Sequence, residues 1–232
     1  MRGAVSFAVL LDALLLGALL VPGAAQAQAH NDAGGAVRGV RIDAWPATSS
    51  AMERGQAPQT GAAALPSSPP LKNSAGLAFD VAPAAQLRLG SKLSFRVRAD
   101  KAGYVVIVDV DAKGKATQIY PNALSAAADG DQSADANRIE AGVAAVIPPG
   151  DSKAYQFVAS PPVGVGMIIA IFSEKPLQLV DLPDAPANLL GRPDEATFVS
   201  EAALGLRFVP TGASNDFKAP DLSFAAKFYV VQ

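Results

Sequence analysis

Along residues 92–99, KLSFRVRA sets Leu93, Phe95 and Val97 against Ser94, Arg96 and Arg98. A period of two puts the first set on one face of a strand and the second on the other, so the segment predicts a half-buried β-strand. In YVVIVDVD (104–111), Tyr104, Val106, Val108 and Val110 share one face. Val105, Ile107, Asp109 and Asp111 share the other, which reads as turning polar toward a turn, and KATQIY (115–120) runs back from it. Further strand signals are VAAVI (143–147), KAYQFVA (153–159), VGMIIAIFSE (165–174) and LQLV (177–180). DLSFAAKFYVV (221–231) sets Leu222, Phe224, Ala226, Phe228 and Val230 on a wholly apolar face, as a core strand would. VGMIIAIF is the most apolar run and is expected near the centre of a sheet.

Two stretches break this period. PDAPANLLG (183–191) has Asp184 as an N-cap and Gly191 as a stop, and RPDEATFVSEAALG (192–205) has Asp194 as a cap and Gly205 as an end. The second carries an apolar set of Phe198, Val199, Ala202 and Ala203. Both predict short helices covering one edge or end of the sheets. Short strands separated by turn signals predict an all-β fold, an immunoglobulin-like antiparallel β-sandwich with one or two short helices near 184–204.

The N-terminal part has a different composition. A basic start at Arg2 precedes an apolar run over 4–21, then small residues with Ala25-Gln26-Ala27 and Ala27-Gln28-Ala29. That is the layout of a cleaved signal peptide over 1–27 and predicts a secreted or periplasmic protein. As a membrane anchor the run is poor, because Asp12 would cost about 2.5–3.5 kcal/mol at a bilayer centre. Residues 28–76 read as a flexible Pro/Ala/Ser-rich leader and linker, with the β-sandwich domain over 77–232. Within the leader, VRGVRIDAW (37–45) carries the only tryptophan, Trp45. It is an unstructured leader, an extra strand docked on the domain, or a peptide that a partner reads through Trp45.

With 19 basic and 21 acidic residues and no basic run, the chain has no footprint for nucleic acid. There is no cysteine, which excludes disulfides, thiolate metal sites and cysteine nucleophiles. Stability must therefore come from the core.

Two Asp-rich stretches invite comparison with a calcium loop, which needs oxygen ligands at positions 1, 3, 5, 7, 9 and 12 and a Gly at 6. Starting at Asp109, the ligand positions 1 and 3 (Asp109, Asp111) and the turn glycine at 6 (Gly114) fit, but Lys113 and Tyr120 occupy ligand positions and cannot serve. A β-hairpin turn starting at Asp111, with Gly114 taking positive φ, fits better. DGDQSADANRIE (129–140) supplies Asp129, Asp131, Ser133, Asp135 through its backbone, Asn137 and Glu140. Ala134 stands where the sharp turn needs Gly, so the stretch reads as a solvated polar loop, with a weak Ca2+ site as the alternative. No other cofactor is expected.

Catalytic signatures are sparse. The single histidine, His30, adjoins the predicted mature N-terminus, so a Ser-His-Asp triad has no centre. No G-x-S-x-G, phosphate loop or dinucleotide fingerprint occurs. Glu140 and Glu174 are the only pair watched for glycoside-type hydrolysis, and surface carboxylates at strand ends is the plainer reading.

GYVVIVDVDAKGKATQIYPN (103–122), NRIEAG (137–142), VIPP (146–149), YQFVASPPVG (155–164) and IIAIFSEKPL (168–177) resemble, in order and spacing, a bacterial family described as domain of unknown function 4384. The resemblance covers roughly residues 77–177. It implies an exported or envelope-associated β-rich module, often joined to domains such as caspase-like peptidases or kinases. No such domain accompanies it within these residues, and the family supplies no catalytic residues to transfer. The expectation is a non-catalytic binding or assembly module of the cell envelope. Its partner would be an envelope protein or cell-wall component, reached through Trp45 or the 123–136 loop. No transmembrane anchor is expected after signal cleavage.

Overall fold

The computed structural model describes residues 39–44, 65–83, 86–128, 136–150, 152, 154–177, 180–205 and 221–232. Two sheets face each other. The first runs in the order β1 (Val40–Ala44), β9 (Tyr155–Ala159), β4 (Lys92–Arg98), β2 (Ala78–Ala82), with β8 (Ala145–Ile147) also on β4. The second runs β3 (Gln86–Leu87), β11 (Leu222–Val231), β10 (Gly164–Ser173), β5 (Gly103–Val110), β6 (Ala116–Tyr120), with β7 (Arg138–Ile139) also on β5. Every pairing is antiparallel except that of β3 with β11. The expected β-sandwich is present.

In β4 the alternation works as read: Leu93, Phe95 and Val97 are buried, while Lys92, Arg96 and Arg98 are exposed. Phe95 packs on Phe157 at 4.9 Å and on Phe79 at 5.9 Å between ring centroids, forming the aromatic centre of the first sheet. From the opposite sheet Val105, Ile107, Ile168, Ala170, Phe172 and Val231 close this core.

The three long strands of the second sheet are buried on both faces, which explains their near-continuous apolar sequences. Val106, Val108, Met167, Ile169, Ile171 and Phe224 face away from the first sheet. A third layer covers them, formed by α2 (Pro193–Leu204) and the chain around Leu177 to Ala185.

This layer corrects the helix expectations. The helix covers a face of the sheet, not an edge, burying Ala196, Val199 and Ala203 with Phe198 and Ala202 half-buried. Its N-cap is Arg192 with Pro193 in the first turn, so Asp194 does not cap it. Residues 183–191 are not helical; Leu189 N bonds Pro186 O at 2.9 Å and Arg192 N bonds Leu189 O at 3.0 Å, a pair of turns. Leu177 and Val180 are buried but belong to no strand. The 123–136 loop opens with a helix, α1 (Ala123–Ala128), whose N-terminal amides at Leu124 and Ser125 donate to Asn122 Oδ1 at 2.9 Å.

Two pieces of the stretch read as leader and linker belong to the sandwich. Strand β1 pairs with β9 over its whole length, from Val40 opposite Ala159 to Ala44 opposite Tyr155. Residues 65–77 run along the outer edge of β11, where Phe224 N donates to Lys72 O at 2.8 Å and Ser68 Oγ donates to Ala226 O. Leu65 and Leu71 pack on the outer core. A segment holding Pro69 and Pro70 cannot form a regular ladder, and it shields a sheet edge without offering a new one. Among the described residues, no helix is long and apolar enough to cross a membrane.

Candidate functional site

The hairpin between β5 and β6 forms as the turn chemistry predicts. Gly114 N bonds Asp111 O at 2.8 Å with Gly114 at φ 85°, and Asp111 Oδ1 accepts from Lys113 N at 2.8 Å and Lys115 N at 3.0 Å. The polar face expected toward the turn is not solvated, however: Asp109 and Asp111 are both 0% exposed.

Asp109 projects from β5 into the interior between the sheets. Its Oδ1 accepts from Tyr229 Oη of β11 at 2.7 Å, and its Oδ2 accepts from Val40 N of β1 at 3.0 Å. One carboxylate thus joins three strands and both sheets. Two glycines make room for it. A Cβ on Gly39, at φ 101°, would stand 2.5 Å from Asp109 Oδ2. A Cβ on Gly166, which lies opposite Tyr229 in register, would stand 2.6 Å from the Tyr229 hydroxyl. Distant sequence converges on a polar point that the core must hold without strain.

The electrostatics are unfavourable to charge. Burial, the largest influence, pushes the Asp109 carboxyl up to about 7, against the Tyr229 and Val40 hydrogen bonds that favour ionisation. Asp111 and Glu195 raise it further, because they are also acidic. Glu195, 1% exposed at the start of α2, is likewise pushed up to about 7, first by burial and then by the charge of Asp111. Its Oε2 accepts from Gly191 N at 2.8 Å, while its Oε1 and Asp111 Oδ2 are buried without a hydrogen-bond partner. Burial raises the Tyr229 hydroxyl well above its ordinary range, with Asp109 adding to it, so Tyr229 remains a neutral donor. Among the described residues, no three histidine, cysteine, aspartate or glutamate side chains are grouped so that they could hold a metal ion.

The other sequence candidates are dispersed. Asp129, Asp131, Ser133, Asp135 and Trp45 lie outside the described residues. Asn137 is fully buried, and its Nδ2 donates to Val105 O at 2.9 Å and Leu177 O at 2.7 Å, so it clasps β5 to the third layer. Glu140 is exposed and pairs with Arg138 at 2.6 Å. Glu174 is exposed and pairs with Lys101 at 2.6 Å. Glu140 follows β7 and Glu174 follows β10, strands that flank β5 on opposite sides. Each of the two carboxylates has its own surface cation.

A groove of about 430 Å³ runs between β2, the outer edge of β11 and the 68–71 segment. Phe79, Phe224 and Ala226 belong to its floor, with Pro69, Pro70 and Leu71 along one wall. Lys227 of β11 and Asp80 of β2 form an ion pair at 3.3 Å within its lining. Strand β3 runs beside β11 only at Val230 and Val231, leaving the earlier part of this edge to the groove and the 65–77 segment.

No curated protein and no solved structure matches the chain. Residues 86–176, from β3 to just beyond β10, match the model of the family described as a domain of unknown function (DUF4384), the family that the motifs from Gly103 to Pro176 resemble.

Proposed function

We propose that this chain is an exported, non-catalytic binding or assembly module of the bacterial cell envelope, and that its partner is an envelope protein. The signal-like N-terminus supports export. The observation that carries the binding reading is the groove between β2 and β11. It lies beside the stretch of the β11 edge between Ala226, where Ser68 bonds, and Val230, where β3 begins, and sheet edges are where an extended segment of another chain can add. Its ion pair, Lys227 with Asp80, is solvent-exposed and contributes about 0–1 kcal/mol, so an incoming segment can displace it at little cost.

The test is site-specific photo-crosslinking in cells. A photoreactive side chain replaces Lys227 in the groove or, as a control, Glu201 on the exposed side of α2. A single envelope protein captured in fixed ratio from position 227 and not from 201 supports the reading. Equal capture at both positions, or co-sedimentation with cell wall and no protein adduct, overturns the groove as the partner site.

A further inference from the structure

Strand β1 lies far from the rest of the sandwich in sequence, sits at a sheet edge and has one short ladder to β9. Its start is tied down by Gly39 N to Pro161 O at 3.0 Å and Ser160 N to Gly39 O at 2.8 Å. To the opposite sheet it is tied by Val40 N on Asp109 Oδ2 and by the buried Val40 side chain in the core between the sheets. Gly39 and Val40 therefore lie directly over the buried carboxylate. The other strands at this carboxylate, β5 and β11, lie inside the second sheet and are paired along both sides or along a ten-residue ladder. We propose that Asp109 is a proton-controlled latch: protonated, it holds the leader strand β1 on the sandwich, and ionised, it releases β1 to admit water.

The described residues around Asp109 offer it hydrogen bonds and like charges. From β11 it meets the neutral Tyr229 hydroxyl, and from β1 only backbone. The charges that act on it from the hairpin and from α2 are Asp111 and Glu195, both of its own sign. Among the described residues, Lys113 and Lys115 of the hairpin are exposed, and Arg41 on β1 pairs with Asp43 at 2.6 Å. A protonated Asp109 keeps both contacts, since one oxygen still accepts from Val40 N and the other shares a single hydrogen bond with Tyr229 Oη, with either hydroxyl as donor. With no counter-charge among the described residues, an ionised Asp109 is costly in the interior, and a route to water is to lift the edge strand above it. Val40 and Tyr229 lie outside the residues that match the family model, so the latch depends on this chain's own flanking segments.

Hydrogen–deuterium exchange of the full chain tests this, read as protection factors corrected for the intrinsic pH dependence of exchange. In the wild type, the protection of residues 40–44 should fall at least tenfold between pH 6 and pH 8, while β10 keeps its protection. Asp109→Asn, which preserves an acceptor for Val40 N without an ionisable group, should show pH-independent protection of β1. If that variant does not fold, Tyr229→Phe serves. It removes a donor that favours the ionised form, so the release midpoint should move to higher pH. Protection of β1 that is unchanged from pH 6 to 8 in the wild type, or that falls identically in Asp109→Asn, or a midpoint unmoved in Tyr229→Phe, overturns the proposal.

Discussion

The two buried carboxyls, Asp109 and Glu195, make an unusual prediction about global stability. In the unfolded chain Asp109 loses its proton near its ordinary value of 3.8, whereas in the fold it holds it until about 7. Between these values the native state binds more protons than the unfolded state, so stability is highest below pH 4 for this group and is lost as pH rises toward 7. Each pH unit in that window removes about 1.4 kcal/mol, and the whole interval about 4 kcal/mol. Glu195 acts in the same direction and is governed by the same sign. The perturbation is Asp109→Asn, and the assay is urea unfolding of wild type and variant at half-unit steps from pH 5 to 8. The wild type should lose stability steadily toward pH 7, opposite to the usual gain on leaving acid. The variant should shed about one proton's worth of that slope, and Asp109→Asn combined with Glu195→Gln should be nearly flat. Above pH 7 the loss from this group levels off, because the native state has then also released its proton. A wild-type curve that rises or stays flat from pH 5 to 7, or a variant with the wild-type slope, would refute the reasoning.

Three further outcomes are expected. Asn137→Ala leaves the carbonyls of Val105 and Leu177 without their side-chain donor; at about 1–3 kcal/mol for a buried unsatisfied group, the urea midpoint should fall clearly with an unchanged slope. Gly166→Ala drives a methyl to 2.6 Å from a ring fixed at its tip by Asp109; overpacking of this kind costs about 1–3 kcal/mol, readable as a lowered Tm. Because Asn137 is fully buried, held by its Nδ2 between β5 and the third layer, and Glu140 pairs with Arg138 at the surface, thermal unfolding in millimolar calcium and in chelator should superimpose. A calcium-dependent rise in Tm would show that residues 129–140 bind the ion despite these commitments.

The sequence exposed the parts of this fold that local periodicity controls. The β4 alternation and the Asp111–Gly114 turn each follow from a few adjacent residues, and each stands where it was expected. Strands of two residues, such as β3 and β7, have no period to detect, and β1 and the 65–77 segment sit in Ala-, Pro- and Ser-rich surroundings that read as linker. Their order comes from partners elsewhere: β9 for β1, and the outer edge of β11 for the 65–77 segment.

Asp109 shows why the site itself was hidden. An aspartate alternating with Ile107 near a turn reads as the start of a wet face, because burying a carboxylate without a partner is costly. The partners that make its burial tolerable are a hydroxyl 120 residues later and an amide 69 residues earlier. Neither leaves a local mark, but the two glycines do. Gly166 interrupts the most apolar strand of the chain where a β-branched residue would pack better, and it lies opposite Tyr229. A glycine inside a buried strand signals a close approach, and only a β10–β11 register could identify what approaches. With that register, Tyr229 falls over Gly166 and its hydroxyl must end on a buried acceptor. Asp109, two residues before the hairpin on the adjoining β5, is the acceptor in reach. The polar site was therefore encoded as a space left for a ring, and the acidic pattern alone pointed to solvent instead.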